Sequence, residues 1–494
     1  MSDQMCDVVV VGGGNAALCA ALAAREQGAD VIVLEAASEE LRGGNSRFTG
    51  GAVRMVFNGL EDLEQIYVDL SEEERQADFG TYTMEQYFDD MARLTQFRTN
   101  PDLCEVMITK SFESYLWCKN KGVQFIPSFG RQAYKVDGRF KFFGGLAVQV
   151  NGGGEGLVDA LYKAAEREGI QVRYSTRAQR LLQEDGQIVG VEARSGGRME
   201  RIGTKAVVLA CGGFESNAEW RTSYLGPGWD MAKVRGTRFN QGDGIRMAID
   251  AGAQSYGQWS GCHAVSWDLN SPDYGDLTMG DAFSRHSYPF SIMINSLGKR
   301  FVDEGADFQT FTYAKYGAVV LAQPGQFAYQ VWDQKTIPLQ REVYRGRRVS
   351  KVRGDTWEEL AGKLEGVDTA QFLTTIAEYN AAVQTDKPFN PGIKDGRSTT
   401  GLEINKTNWA VKLDEPPFEA YPVTCGITFT FGGLRINTDA EVLDTEEKAI
   451  PGLFAAGELV GGLFYFNYPT GAGLTSGTVF GQIAGYGAAK HAKG

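Results

Sequence analysis

An α/β fold is predicted, in which a parallel-sheet domain is assembled from both ends of the chain around an inserted α+β cap. Three observations predict it. The apolar run Val8–Val11 passes through Gly12–Gly14 into a helical pattern and on to a second apolar run, Val31–Leu34. That is the βαβ unit of a parallel sheet. From Pro422 onward strand and glycine-turn signals return and end in a helical pattern from Gly473. Between the two, residues 254–421 are richer in aromatics and charges, with helical patterns at Trp357–Leu364 and Ala370–Val383. The expected domains are therefore 1–253 together with 422–494, and a substrate-capping domain, 254–421. A chain of 494 residues that is 43% hydrophobic can bury more than one core.

In chain order, Val8–Val11 reads as a buried strand, Ala16–Gln27 as a helix, and Val31–Leu34 as a strand ending on Glu35. Residues 60–125 read as mainly helical, with acidic runs such as Ser71–Arg75 on solvated faces. Gly152–Gly154 precedes an amphipathic helix, Leu157–Arg167. Val172–Tyr174, Gly190–Arg194 and Ala206–Ala210 alternate or run apolar as strands do.

The net charge of −13, with acids and bases interspersed, argues against nucleic acid and anionic membranes as partners. Met1–Gly14 lacks a basic stretch and reads as a strand rather than a leader. No apolar run approaches the ~18–20 residues that span a bilayer, so no membrane insertion is expected. Seven scattered cysteines without a C-x-x-C pair, and three histidines, point to a reducing cytoplasm and to no metal site.

Gly12-Gly-Gly14-Asn15-Ala16-Ala17 is G-x-G-x-x-A between a strand and a helix. Its first glycine makes the turn, its second lets backbone approach a pyrophosphate, and Ala17 keeps helix and strand close. The helix N-terminus turns free N–H groups to the phosphates. Glu35, ~20 residues on, is placed for a ribose 2′-hydroxyl and disfavours a 2′-phosphate. A Rossmann-like dinucleotide site follows. Three further segments favour FAD over NAD: Arg42-Gly-Gly44-Asn45-Ser46 with Gly50-Gly51, the strand Val207–Phe214 with Ala210, Gly212 and Gly213, and Pro451–Glu458 ending on Gly457-Glu458. Ala36 and Ala178 complete the cofactor contacts expected here.

This set resembles the flavoprotein family of fumarate reductases, succinate dehydrogenases and 3-ketosteroid dehydrogenases, which carry G-x-G-x-x-G/A, a G-G-N-[S/T] loop, a T-G-D-G turn and a late A-A-G-E strand. Asn240–Gly244 stands at the T-G-D-G place and Gly298–Glu304 at the family's G-K-R-F-V-N-E. Within the family the sequence looks nearest to tricarballylate dehydrogenase-like proteins, through Gly13–Ala21, Arg42–Arg47, Cys262–Val265 and Gly426–Thr430. The resemblance implies FAD held without a covalent link, since Ser46–Thr49 offers no histidine. It also implies that Asn240 and Asp243 contact the cofactor, and that the helix from Gly473, with Leu474 and Thr475, turns its N–H groups to the flavin and stabilises the reduced, anionic ring.

Fumarate reductases hold two carboxylates with a histidine and an arginine whose matching residues here are Phe429 and Tyr468, and their proton-donating arginine matches Phe308. A desolvated carboxylate without a partner costs several kcal/mol, so fumarate is not the expected substrate. Asn467-Tyr468-Pro469 instead resembles the Tyr-Pro turn of ketosteroid dehydrogenases, whose hydroxyl polarises a ketone together with a backbone N–H, here near Gly473. The expected reaction is desaturation α,β to the carbonyl of a small cyclic ketone or keto acid. A base takes the α-proton and the β-hydride goes to flavin N5. Tyr313 is the first choice of base, with Tyr288 and His286 next. Arg285 would acidify the phenol or clamp a substrate carboxylate. His263 is expected to order the site or hydrogen-bond substrate. Arg131, Arg54 and Arg238 remain unassigned, and the pocket is expected to be short of cations for a tricarboxylate. The alternatives are a tricarballylate-type polycarboxylate dehydrogenase and an ene reductase. The electron acceptor stays open among oxygen, a quinone and a partner protein.

Overall fold

The apolar run that opens the sequence becomes strand β1 (Gln4–Val11), with Val8, Val9 and Val10 wholly buried. The computed structural model describes residues 4–494; residues 1–3, read as the head of this strand, lie outside the described residues. Helix α1 (Asn15–Glu26) and β2 (Val31–Leu34) follow, and β2 lies parallel to β1 with Val9 opposite Ile32. The acidic and helical stretch after residue 60 includes α2 (Pro101–Asn120), which starts on Pro101 and is capped by Asn100 Oδ1 accepting from Leu103 N at 3.1 Å. Helix α3 (Gly153–Arg167) leads into β3 (Gln171–Arg173), β4 (Thr176–Glu184), β5 (Gln187–Ser195) and β6 (Arg198–Leu209).

The chain then builds a second sheet. Its elements are β7 (Lys233–Val234), α4 (Asp243–Asp250), β8 (Ser255–Asp268), β9 (Ile292–Asn295), α5 (Tyr313–Leu321), β10 (Ala328–Trp332), β11 (Val352–Gly354), α6 (Thr369–Ala382) and β12 (Phe418–Leu434). The six strands are ordered β7-β12-β10-β9, with β8 and β11 also on β12. Strand β12 runs unbroken across residues 421 and 422, where the composition placed a domain cut, and β7 joins the same sheet from before residue 254. An apolar strand paired on both sides gives no compositional break at such a point. Strands β8 and β12 pair antiparallel with His263 opposite Phe429, and their register slips on both sides of His263. Irregularities of this kind re-aim side chains.

Strands β13 (Glu441–Leu443) and β14 (Ala449–Ala455) return to the first sheet, ordered β13-β14-β6-β1-β2-β3, with β5 on β6 and β4 on β5. Strand β1 therefore lies between parallel β2 and β6, where the strand order reverses. The crevice beyond its C-terminal end is the expected ligand site of such a sheet.

The last helix, α7 (Ala472–Lys493), packs along α1 through glycines. A Cβ on Gly481 would stand 2.6 Å from Ala16 O, and one on Gly485 2.2 Å from Ala20 O. Helical glycine costs about 1 kcal/mol relative to alanine; the close approach of α7 to α1 offsets it. Gly485→Leu is expected to destabilise the protein by about 1–3 kcal/mol, read as a lower denaturant midpoint. An unshifted midpoint would contradict this packing.

Candidate active site

A cleft with an empty volume of about 1790 Å³, open solvent included, runs from the end of β1 to the β8–β12 pair. Its lining runs from Gly12–Asn15 to Tyr313 and Tyr468, the span that a dinucleotide and a substrate would occupy together.

At its β1 end, Gly12 has φ +114°, and a Cβ there would lie 2.4 Å from Ala210 O. Only glycine fits this turn. Gly12, Gly14, Asn15 and Ala16 line the cleft, as do Glu35 and Ala36. Asn15 N donates to Ser46 Oγ (3.0 Å), and Asn15 Nδ2 donates to Leu474 O (3.0 Å) and Thr478 Oγ1 (2.9 Å). These bonds tie the start of α1 to the Gly44-Asn45-Ser46 loop and to α7. Gly44, Asn45, Ser46, Gly50, Gly51 and Ala178 also line the cleft, with Ala210, Gly212, Asn240 and Asp243 on the β6 side and Gly457, Glu458, Gly473 and Leu474 from the last part of the chain.

Four expected cofactor residues stand behind the wall instead. Ala17 is wholly buried on the inner side of α1. A Cβ on Gly213 would touch Glu458 Oε1 and Thr430 Oγ1, so its smallness serves packing. Arg42 pairs with Glu39 at 2.8 Å and lies over the Tyr162 ring. Thr475 Oγ1 donates to Arg54 O at 2.6 Å and meets the Tyr115 hydroxyl at 2.9 Å, fixing α7 rather than a ligand.

The buried polar groups here fit FAD. Glu35 is buried; its Oε1 accepts from Ala37 N at 2.8 Å, and burial pushes its carboxyl up to about 6. Such a group suits two ribose hydroxyls. Glu215 Oε1 accepts from Asn45 Nδ2 and Asn240 Nδ2, both at 2.6 Å, while its Oε2 has no partner. Burial and then the neighbouring Glu458 carboxylate push Glu215 well above the carboxylate range. Of the two, Glu458 lines the cleft and can meet the hydroxyls of a ribityl chain, while Glu215 stands behind it. One prediction follows from Glu35. Hydroxyl donors favour its ionised form, so bound FAD lowers a carboxyl that sits near 6 in the free site. FAD affinity should be level above pH 6 and weaken by up to about tenfold per unit below it. Titration of apoprotein with FAD checks this; the slope should vanish in Glu35→Gln, and an equal slope in the variant would contradict it.

At the other end, Tyr468, Tyr313, His286, Phe429 and Gly473 line the cleft. The Tyr313 and Tyr468 hydroxyls are hydrogen-bonded to each other. Tyr313 opens α5, and Tyr468 lies in the turn before α7, whose first-turn residues Gly473 and Leu474 line the same space. Burial pushes both phenols up, Tyr468 farther because Tyr313 adds to it, while Arg235 pulls both down. His263 sits behind them, outside the cleft lining, edge-on to Tyr313 and Tyr468 at 4.8 Å each and 5.1 Å from Phe429. Burial and then Arg235 hold its imidazole well below the usual range, so it is neutral.

Three sequence candidates point elsewhere. Arg285 is wholly buried, donates to Asp268 Oδ2 at 2.7 Å and to Ala282 O and Ser284 O at 2.8 Å each, and does not line the cleft. Tyr288 is wholly buried with its hydroxyl 2.6 Å from Thr312 Oγ1. Phe308 stacks on Phe143 at 4.8 Å within a separate aromatic cluster. Arg285 can therefore neither acidify Tyr313 nor clamp a substrate.

Arginines from distant segments take those places. Arg235 Nε and Nη2 donate to Asp281 Oδ1 at 2.9 and 2.7 Å, and Arg131 Nη1 donates to Asp281 Oδ2 at 3.1 Å. Although burial opposes it, the two guanidiniums hold the Asp281 carboxyl below the usual range. Arg341 Nη1 lies 3.3 Å from His286 Nδ1, and burial, then Arg131, push Arg341 down to about 10. All four charged residues line the cleft. Of them only Arg131 was noticed in the sequence. Arg54, also noticed there, supports the Tyr468 turn by donating to Thr470 O at 2.8 Å, and Arg238 lies over Tyr274.

Among the described residues no helix is long and apolar enough to cross a membrane. A family model described as an FAD binding domain matches residues 7–474. The chain is 30% identical over 495 residues to a probable fumarate reductase, Ifc3, of Shewanella frigidimarina (strain NCIMB 400), covering 98% of this chain and 75% of that one. It is 28% identical over 570 residues to the 4-oxocyclohexanecarboxylate 2-dehydrogenase of Sinomonas cyclohexanicum, covering 97% and 94%. The solved 3-ketosteroid delta1-dehydrogenase from Sterolibacterium denitrificans, in complex with 1,4-androstadiene-3,17-dione, superposes with a TM-score of 0.75 at 22% identity, covering 99% of this chain and all of that one. At that identity the likeness is one of fold. The chain belongs to this FAD binding domain family and is a flavin-dependent oxidoreductase acting on CH–CH groups.

Proposed function

We propose that the enzyme introduces a C=C bond α,β to the carbonyl of a small cyclic ketone. The observation that carries this reading is the Tyr313–Tyr468 hydroxyl pair inside the cleft, beside the first turn of α7. Tyr468, with the backbone N–H of Gly473, holds the carbonyl oxygen. When the ketone enters, the Tyr468 proton turns from Tyr313 to that oxygen and strengthens its bond as enolate character develops. Tyr313, in its phenolate form, then takes the α-proton; burial raises its phenol and the Arg235 guanidinium only partly offsets that. Bound FAD would supply the acceptor for the β-hydride, and it would be held without a covalent link. Phe429 and Tyr468 stand where a fumarate reductase of the expected pattern would present a histidine and an arginine, so fumarate finds no carboxylate clamp at those two positions.

Mass spectrometry of cyclohexanone incubated with holoenzyme and an artificial electron acceptor tests the reading. A product two mass units lighter, conjugated to the ketone, is expected. Turnover of tricarballylate with no change in any ketone would overturn it.

A further inference from the structure

The wall of the cleft beyond the tyrosines carries an excess of positive charge that the reaction above does not use. Arg131, Arg235 and Arg341 face it, against one carboxylate, Asp281. Asp281 is committed to Arg235 and Arg131. Arg341 has no carboxylate within ion-pair distance among the described residues; its hydrogen bonds go to His286 Nδ1 and to Arg131 O (3.2 Å). The other acids of the cleft belong to its cofactor end. Asp243 is paired with Arg177, Glu458 sits beside Glu215, and Glu35 is at the end of β2. A cation left against an apolar, desolvated wall is costly unless something pairs with it.

The unpartnered polar atoms of this wall are of the matching kind. Because Arg341 donates to His286 Nδ1, the imidazole carries its proton on Nε2. That atom is buried and without a partner, as is Gln309 Nε2, and both residues line the cleft. Both are donors. Gln132 Oε1 is an unpartnered acceptor on the same lining, but its amide can equally turn to present NH₂. A guanidinium fork, an imidazole N–H and an amide N–H call for a group that only accepts and is negatively charged.

We infer that Arg341, with His286 and Gln309, forms a carboxylate subsite, so that the substrate is a cyclic keto acid whose acid group lies at the opposite end from the carbonyl. This rests on the reading of Tyr468 as the carbonyl donor. The successive contacts Tyr468–Tyr313, Tyr313–His286 (ring centroids 4.9 Å apart) and His286–Arg341 set the two ends apart along one wall. A single carboxylate reduces the wall's excess charge from two to one. Arg341 is then the residue that selects acid over neutral ketone.

The test uses holoenzyme, 4-oxocyclohexanecarboxylate, its methyl ester and cyclohexanone, with anaerobic flavin reduction as the readout. Wild type should prefer the acid over the ester, and Arg341→Gln should reduce that preference about 100-fold, within the range for truncating one partner of a desolvated charge pair. Arg341→Lys should fall between, since it keeps the charge and loses the fork. An acid-to-ester ratio that does not move in Arg341→Gln, with both rates falling together, would overturn the subsite. So would wild-type enzyme that reacts with ketones but does not favour the acid, a result that leaves the carbonyl reading standing. If no ketone reduces the flavin, that reading falls. The subsite then stands or falls on cyclohexanecarboxylate, which should perturb the flavin spectrum of wild type and not of Arg341→Gln.

Discussion

Tyr468→Phe is expected to slow flavin reduction by a ketone about 10²–10³-fold, the usual loss when one donor to a developing oxyanion is removed. The substitution keeps the ring, and the ring does the packing. Tyr468 meets His263 at 4.8 Å, Phe429 at 5.1 Å and Phe464 at 5.3 Å, all edge-on, and none of these contacts uses the hydroxyl. The fold and the bound flavin should therefore survive, and the loss should appear in the rate at saturating ketone. A hydrogen bond that strengthens toward the transition state acts on kcat, whereas one equally strong in the ground state would raise KM alone. Reduction within a few-fold of wild type would remove Tyr468 from the chemistry and leave it as an aromatic wall.

Tyr313→Phe should cost about 10²–10⁴-fold, the range for losing a positioned general base. Its pH profile separates this from a packing defect. Burial raises the Tyr313 phenol above its ordinary value, and Arg235 only partly offsets that. At neutral pH the base form is therefore a minor fraction that grows about tenfold per pH unit. Flavin reduction in wild type should rise with that slope from pH 7 toward 10 and be flat in the variant. His286 and His263 are both held neutral, well below the imidazole range, so neither adds an inflection near 6.5. A wild-type profile that levels off near pH 6.5 would point to an imidazole base and contradict the assignment.

What could be read in the sequence were features whose meaning is local. Gly12, Gly14 and Glu35 sit at spacings fixed by one βαβ unit, and the structure places all three on the cleft. The Gly44–Ser46 loop and Gly457-Glu458 carry their signal in adjacent residues as well. The misplacement of Arg285 is also local in origin. From Ser284 to Ser287 the chain has no helix or strand of its own beyond one bridge at Ser284, and neighbouring side chains leave in different directions. His286 lines the cleft, while Arg285 turns into the core to meet Asp268 on β8. A motif shows that the two are adjacent but not which one faces the ligand. Arg235, Asp281 and Arg341 could not be found this way, because their meaning lies in contacts across segments 46 to 210 residues apart. Each alone reads as one more charged residue in a chain that is 22% charged. The expectation that the pocket is short of cations for a tricarboxylate left out Arg235 and Arg341 for that reason.

The most direct test of carbonyl-directed desaturation is the flavin absorbance of purified holoenzyme mixed anaerobically with cyclic ketones, keto acids, tricarballylate and fumarate. The account predicts bleaching by ketones, fastest with a keto acid, and none with tricarballylate; fumarate should not reoxidise the bleached enzyme. Bleaching by tricarballylate alone would contradict it and make the Arg131–Arg235–Arg341 wall, rather than the tyrosine pair, the centre of the chemistry.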